Sequence, residues 1–285
     1  MRLPSPPWWM ALGEARAVTH VSEMICMAPW LLSAPRGDGH PVLVLPGFMA
    51  NSRSTYPLRR YLKDRGYAAH RWKQGRNRGF SDILLRGMES RLLELVERYQ
   101  SPVSVLGWSL GGVYARELAR MHPQHVRCVI TLGSPIAANR GGTSIEWLYE
   151  WIAGHSPRDL PDEMIDRLAQ TPTVPTTAIY SRSDGIVHWQ ASVELLAHER
   201  VENIEVYGSH IGLGFNPSVY LAVADRLAVN PDHWTPFAPP RLFQSLYGDL
   251  DNAHSPFRWR RRLEHTLRSL EKALGRDPAY PEIGG

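Results

Sequence analysis

The hydrophobic pattern along the chain predicts short buried strands that alternate with amphipathic helices. Six short runs rich in apolar residues each have the length of one strand, and such runs are typical of a parallel sheet buried on both faces. They cover residues 42–45, 67–72, 103–107, 126–132, 176–180 and 203–207. Between the second and third runs, apolar residues from Phe80 to Tyr99 recur at helical spacing. We therefore expect an α/β fold with a mostly parallel central sheet flanked by helices.

The regular alternation is limited to residues 41–230, which are predicted to form one α/β core. Residues 1–40 are predicted to be a helical N-terminal extension, in which Leu12, Val18, Val21, Ile25 and Ala28 recur near helical spacing. A helix that packs on the core through these apolar residues is favoured over an arm that contacts a membrane.

Two further segments depart from the alternation. Residues 136–172 interrupt it after the fourth strand and are predicted to form a small helical lid over the carboxyl edge of the sheet, with two ordinary packing helices as the alternative. Residues 231–285 are predicted to be a C-terminal extension that ends in a basic amphipathic helix. Packing of that helix on its own domain is favoured over docking on an anionic membrane surface or a partner.

Composition narrows the class of protein. Of the 285 residues, 43% are hydrophobic and 21% are charged, and the formal net charge of +4 does not argue for a nucleic-acid partner. Two cysteines argue against a disulfide scaffold, and no spacing typical of metal ligands is present. No stretch has the length of a membrane-spanning helix and the N-terminus is a poor match to a signal peptide, so we expect a cytoplasmic protein, with peripheral membrane contact as an alternative. The sequence leaves the oligomeric state open.

The candidate nucleophile is Ser109, which lies in the sequence Gly-Trp-Ser-Leu-Gly-Gly at residues 107–112. A buried strand precedes this motif and a helical pattern follows it, and that order is the context of a nucleophile elbow. The sharp turn leaves no room for side chains beside the serine, a requirement that Gly107 and Gly111 meet. The alternative interpretation is a glycine-rich turn with an unreactive serine.

An acid and a base follow the serine in the order of a Ser–Asp–His set. Asp184 comes after the fifth strand and His210 after the sixth, so the carboxyl ends of the parallel strands should bring both to the edge where Ser109 lies. For Asp184 the alternative is an ordinary Asp-Gly turn. Most of the twelve histidines are expected to be surface or packing residues, and His210 is selected by its position.

The loop after the first strand is the expected site of oxyanion stabilisation. Gly47 allows close approach of the backbone, so the backbone N–H of Phe48 is the first expected donor, with Met49 as the second choice. The other donor of the pair is expected to be the backbone N–H of Leu110, the residue after the nucleophile. For the polar loop at residues 75–79, near the same edge, a solvated loop is favoured over one that orients the oxyanion loop.

From about residue 40 to residue 230 the chain resembles the α/β-hydrolase superfamily, most closely its bacterial esterase and lipase-like members. The segments that carry the resemblance are 43–48, 107–112, 131–135, 180–184 and 208–210. The resemblance implies a serine hydrolase that cleaves carboxylic esters through an acyl-enzyme, with no metal or organic cofactor. An acyltransferase or a thioesterase would use the same three side chains, and a non-catalytic binding protein on the same fold is the alternative of another class.

The expected substrate is a small-molecule or lipid-like acyl ester. Its contacts are expected beside the catalytic residues and beneath the predicted lid, where tryptophans favour an apolar acyl chain. The candidate substrate-binding residues are Met49, Trp108, Ile136, Trp147, Trp151 and Ile211.

Overall fold

The computed structural model describes residues 5–136, 167, 170–195 and 199–248, and its centre is a six-stranded sheet. The strands are Pro41–Leu45 (β1), Ala68–Arg71 (β2), Val103–Trp108 (β3), Val126–Leu132 (β4), Thr176–Tyr180 (β5) and Val201–Glu205 (β6). Their order is β2-β1-β3-β4-β5-β6, and every neighbouring pair is parallel. The predicted α/β fold with a mostly parallel sheet is confirmed.

Helices cover both faces of this sheet. They are Trp8–Leu12 (α1), Ala17–Cys26 (α2), Ala28–Ser33 (α3), Tyr56–Asp64 (α4), Asp82–Tyr99 (α5), Leu110–Met121 (α6) and Pro217–Ala228 (α7). Local sequence explains where two of them begin. The Ser81 hydroxyl accepts a hydrogen bond from the backbone N–H of Leu84 at the start of α5, and the Asn216 side chain accepts one from Ser218 at the start of α7.

Two large hydrophobic clusters, one on each face of the sheet, form most of the core of the described residues. Alternation along β1 shows this directly, because successive side chains of a strand point to opposite faces. Val42 and Val44 belong to the cluster that includes residues of α4 and α7. Leu43 and Leu45 belong to the cluster that includes residues of α5 and α6.

The strand order opens a crevice between the carboxyl ends of β1 and β3. After β1 the chain passes to β2 on one side, and it then returns to β3 on the other side. Because α4 and α6 pack on opposite faces, the loops after β1 and β3 leave the sheet in opposite directions. Such a topological switch point is where open α/β sheets bind their ligands.

The prediction for the apolar face of the N-terminal extension is wrong for three of its five residues. Leu12, Val18 and Ile25 are 69%, 76% and 73% exposed, whereas Glu14 and His20 are buried. These two polar side chains point inward because they contact loops at the carboxyl edge of the sheet, as described below. The extension packs on the core through other apolar residues, because Leu31 belongs to a core cluster and Met24 and Met27 pack against it.

Several predicted features lie outside the described residues. These are most of the predicted lid, including Trp147 and Trp151, and the basic amphipathic pattern near the C-terminus. In the ranges that the structure does describe, no helix combines the length and the apolar composition that crossing a bilayer requires.

Candidate active site

Ser109 lies on a sharp turn between β3 and α6. Its backbone has φ 55° and ψ −126°, in a region that residues with a side chain rarely adopt. A Cβ atom at Gly107 would lie 2.3 Å from the Gly111 carbonyl oxygen, and one at Gly111 would lie 2.5 Å from the Leu45 carbonyl oxygen. Glycine is therefore required on both sides of the serine, and the turn presents Ser109 at the crevice.

Asp184 and His210 form a buried pair on the loops after β5 and β6. The His210 Nδ1 atom lies 2.6 Å from Asp184 Oδ2. The other carboxylate oxygen, Oδ1, accepts hydrogen bonds from the backbone N–H groups of Ile186 and Val187 at 2.9 and 2.7 Å. Because an ionised carboxylate can only accept, Nδ1 must carry a proton, which leaves Nε2 of a neutral imidazole as the acceptor.

The serine turn and the acid–base pair meet at one edge of the sheet. The Trp108 indole N–H donates to the carbonyl oxygen of His210 at 3.2 Å, so the residue before the serine contacts the base loop. A Cβ atom on Gly133, after β4, would lie 3.0 Å from Asp184 Oδ2 and 3.1 Å from His210 Nδ1. Among the described residues, Ser109 Oγ makes no hydrogen bond to His210. In enzymes without substrate such contacts are often long and tighten when substrate binds.

The candidate oxyanion donors belong to the loop after β1 and to the first turn of α6, both of which adjoin Ser109. Leu110 is the first residue of α6, and N–H groups in the first turn of a helix have no partner within the helix. Phe48 follows Gly47, whose Cα faces the serine closely enough that an added Cβ would lie 3.7 Å from Ser109 Oγ. Met49 has φ 60°, and its N–H donates to the Asn77 carbonyl oxygen at 2.6 Å. That bond removes Met49 from the candidate donors.

Asn77 braces the oxyanion loop, so the expectation of a solvated loop at residues 75–79 is wrong at this position. The Asn77 side chain is fully buried and donates from Nδ2 to the Pro46 carbonyl oxygen at 3.0 Å. Its backbone N–H donates to the carbonyl oxygen of Ala50 at 2.9 Å. Together with the bond from Met49, these contacts fix both ends of the loop that carries Phe48. In the sequence, the one signal for this role of Asn77 is that its loop follows β2 near the same edge of the sheet.

Replacing Asn77 with alanine is expected to lower kcat by about 10- to 100-fold, because it releases a loop whose placement within about 1 Å matters. The free energy of unfolding should fall by about 1–3 kcal/mol, since the buried Pro46 carbonyl loses its donor. Steady-state kinetics and urea unfolding measure the two effects. Arg78→Ala, which removes an exposed side chain from the same loop, is the matched control. An unchanged kcat in Asn77→Ala would show that the brace has no part in the reaction.

Glu14 also lies at this edge, although nothing in the sequence indicates a role for it. Its carboxylate accepts hydrogen bonds from the backbone N–H groups of Gly185, His210 and Ile211, at 2.9, 3.0 and 2.8 Å. These donors lie more than 170 residues away along the chain, so no local pattern could have indicated the contact.

The candidate substrate-binding residues are distributed unevenly around the site. Trp108 contacts the base loop through its indole, and Ile211, next to the base, is 43% exposed. Met49 lies on the oxyanion loop. Ile136 is buried, and its N–H donates to the Ala191 carbonyl oxygen at 2.7 Å. The structure therefore places Met49, Trp108 and Ile211 on the elements that form the site and Ile136 in the packed interior.

A second Ser–His–Asp set lies elsewhere on the sheet. His40 Nδ1 is 2.5 Å from Asp38 Oδ1, and His40 Nε2 is 2.9 Å from Ser104 Oγ. Ser104, however, lies inside β3 and is 0% exposed, while Ser109 is 9% exposed. No substrate can reach a fully buried hydroxyl in a strand, so this set is structural and supplies matched controls for the first one. In the part of the chain that the structure describes, no cluster of His, Cys, Asp or Glu could hold a metal ion.

Comparison with known proteins places this geometry in context. No family model matches the chain. Over 62 residues it is 40% identical to a pimeloyl-[acyl-carrier protein] methyl ester esterase of Klebsiella pneumoniae, an alignment that covers 21% of this chain and 22% of that protein. Over 143 residues it is 25% identical to a carboxylesterase of Bacillus subtilis, covering 45% of this chain and 57% of that protein. The chain thus spans only part of each of these curated relatives.

Solved structures extend the likeness to most of the core. Lipase B of Aspergillus fumigatus matches with a TM-score of 0.54 and 20% identity, covering 68% of this chain and 53% of that one. A lipase of Bacillus licheniformis matches with a TM-score of 0.51 and 14% identity, covering 68% and 94% of the two chains. A monoacylglycerol lipase of Paleococcus ferrophilus matches with a TM-score of 0.50 and 14% identity, covering 68% and 96%. At these identities the likeness is one of fold.

Proposed function

Because the chain has the α/β-hydrolase fold, we propose that it is a serine hydrolase that cleaves carboxylic esters with Ser109, His210 and Asp184. The observation that carries the proposal is the buried His210–Asp184 pair, 2.6 Å between Nδ1 and Oδ2, at the same sheet edge as the strained Ser109 turn. The names of the partial relatives, a methyl ester esterase and a carboxylesterase, support a carboxylic ester as the substrate class.

The arrangement supports a two-step mechanism. His210 Nε2 accepts the Ser109 proton while Oγ attacks the ester carbonyl, and the imidazolium that forms is stabilised by Asp184. The N–H groups of Leu110 and Phe48 stabilise the oxyanion of the tetrahedral intermediate. The imidazolium then gives its proton to the leaving alcohol, and the acyl-enzyme remains. Water, deprotonated by His210, attacks the acyl-enzyme and releases the acid and the free serine.

The pH dependence of kcat/KM should reflect the pKa of His210. Burial disfavours the charged imidazolium and lowers this pKa, but the charge and hydrogen bond of Asp184 and the charge of Glu14 outweigh burial and raise the pKa above its ordinary 6.5. Only the neutral imidazole accepts a proton, so kcat/KM should fall with a midpoint above 6.5 as the pH is lowered. Rates measured from about pH 5 to about pH 9 test this. A midpoint below 6.5 would assign the base to another group.

The function itself is tested with nitrophenyl esters of increasing acyl length, assayed with and without an added alcohol. Ester hydrolysis releases the free acid in both conditions, whereas an acyltransferase forms a new ester when the alcohol is present. Absence of turnover across the whole panel would support the non-catalytic binding protein instead.

A further inference from the structure

We propose that Glu14 is a positioning residue for this reaction, which locks the loop carrying Asp184 and the loop carrying His210 to each other. The inference rests on the proposed serine hydrolase function. It makes the N-terminal extension a part of the active site, because Glu14 lies outside residues 41–230 and its carboxylate bonds both loops.

The contacts of one carboxylate span both loops. Glu14 Oε1 accepts from the backbone N–H of Gly185, the residue after the acid, at 2.9 Å, and from the N–H of His210 itself at 3.0 Å. Glu14 Oε2 accepts from the N–H of Ile211 at 2.8 Å. Hydrogen bonds to an ionised acceptor are about twice as strong as neutral ones. The position of His210 relative to Asp184 is therefore set by their direct contact, by the hydrogen bonds of Ser181 and Ser183 to the Gly208 carbonyl oxygen, and by this second carboxylate.

Glycines in both loops make room for the N-terminal extension. A Cβ atom at Gly185 would lie 2.3 Å from the Met10 carbonyl oxygen, and one at Gly212 would lie 2.3 Å from Cδ2 of His20. Backbone and side chain of the extension thus occupy the space that larger residues at 185 and 212 would need. The fit of the extension against the two loops is specific, and Glu14 lies at its centre.

The bonds of Glu14 also decide its electrostatic effect. Burying a carboxylate is costly unless hydrogen bonds compensate it, and the three described bonds to Glu14 come from neutral backbone N–H groups. None of these three hydrogen bonds comes from a cation, so the negative charge of Glu14 is not neutralised by them. That charge acts on the imidazole of His210. Glu14 therefore stabilises the imidazolium that forms when His210 accepts the serine proton.

The charged and titratable groups near His210 come from the loop after β5 and from two positions of the N-terminal extension. Asp184 approaches the ring from the loop after β5, and Glu14 approaches its backbone from the N-terminal extension. His20, paired with Glu23 at 2.7 Å, lies beside Gly208 and Gly212 on the base loop. Of these groups, Asp184 and Glu14 raise the pKa of His210. Removing the charge of Glu14 should therefore lower that pKa.

The experiment compares Glu14→Gln and Glu14→Asp with Glu97→Gln, the same chemical change at an exposed carboxylate on α5. Glutamine places an amide among three N–H donors and removes the charge, so kcat/KM should fall about 10- to 100-fold and the acid limb should move to lower pH. Aspartate keeps the charge but shortens the reach, so the rate should fall while the acid limb stays. Glu97→Gln should behave as wild type in both readouts.

The result that overturns the proposal is a Glu14→Gln enzyme with wild-type kcat/KM and an unmoved acid limb. Thermal unfolding of each variant is measured first, and if Glu14→Gln does not fold, wild-type kcat/KM in Glu14→Asp overturns the proposal instead. In the wild-type protein, amide exchange at His210 and Ile211 should be slow, and unprotected exchange there also counts against it. Fluorophosphonate labelling of wild-type Ser109 is run in parallel: absence of that label rejects the hydrolase function, whereas a labelled wild type with unaffected variants rejects only the role of Glu14.

Discussion

Replacing Ser109 with alanine is expected to lower kcat for ester hydrolysis by about 10⁴-fold or more, which is the scale of losing the nucleophile of a Ser–His–Asp set. Alanine removes Oγ, so no acyl-enzyme can form. The fold should be kept, because none of the described hydrogen bonds of Ser109 uses its side chain. Steady-state kinetics on the best ester of the panel measure the loss, and circular dichroism checks the fold.

Ser104→Ala is the matched control for this variant. It removes a hydroxyl that is also hydrogen-bonded to a histidine, His40, but that is fully buried in β3. Its effect should be on stability, by about 1–3 kcal/mol, with kcat close to wild type. A large loss of kcat in Ser104→Ala together with an active Ser109→Ala would reverse the assignment of the two serines.

The second large effect is expected for Asp184→Asn, which should lower kcat by about 10⁴-fold. The asparagine carbonyl can still accept the N–H bonds of Ile186 and Val187, which turns its NH₂ group toward His210. Nδ1 of His210 must then accept, the proton moves to Nε2, and the imidazole can no longer take the serine proton. The volume of the side chain hardly changes, so stability is affected less than rate.

Asp38→Asn makes the same change in the second Ser–His–Asp set, where Asp38 bonds His40. Its kcat should remain near that of wild type. Kinetics of the two variants, measured side by side over a range of pH, separate a tautomer effect at His210 from a general loss of negative charge. Equal rates in Asp184→Asn and wild type would remove Asp184 from the mechanism.

The sheet and the positions of the three candidate side chains follow from local sequence signals. The run from Val126 to Leu132 is mostly apolar and is found as β4 with those bounds. The strand β6 begins two residues before its predicted start, at Val201. Glu202 lies inside β6, and its buried Oε1 atom is 2.9 Å from Nη1 of Arg226. The charged residue interrupts the apolar pattern of the strand, and its partner is 24 residues away along the chain.

The supporting contacts of the site depend on long-range packing and could not be predicted. Glu14 appears in the sequence as one charge after an apolar stretch, and Asn77 appears as one polar residue in a polar loop. Their roles arise only when the N-terminal extension meets the acid and base loops and when the loop after β2 meets the oxyanion loop. The same holds for Val18 and Ile25 of α2, which are exposed. Their spacing predicts packing on the core, but spacing alone does not say which face of a helix turns inward.

The most direct measurement is the site of covalent modification by a fluorophosphonate in the wild-type protein, found by mass spectrometry of the digested protein. The account predicts one adduct, on the peptide that carries Ser109, formed at an undiminished rate in Ser104→Ala and absent in Ser109→Ala. An adduct on any other serine, or ester turnover that persists at the wild-type rate in Ser109→Ala, would contradict it.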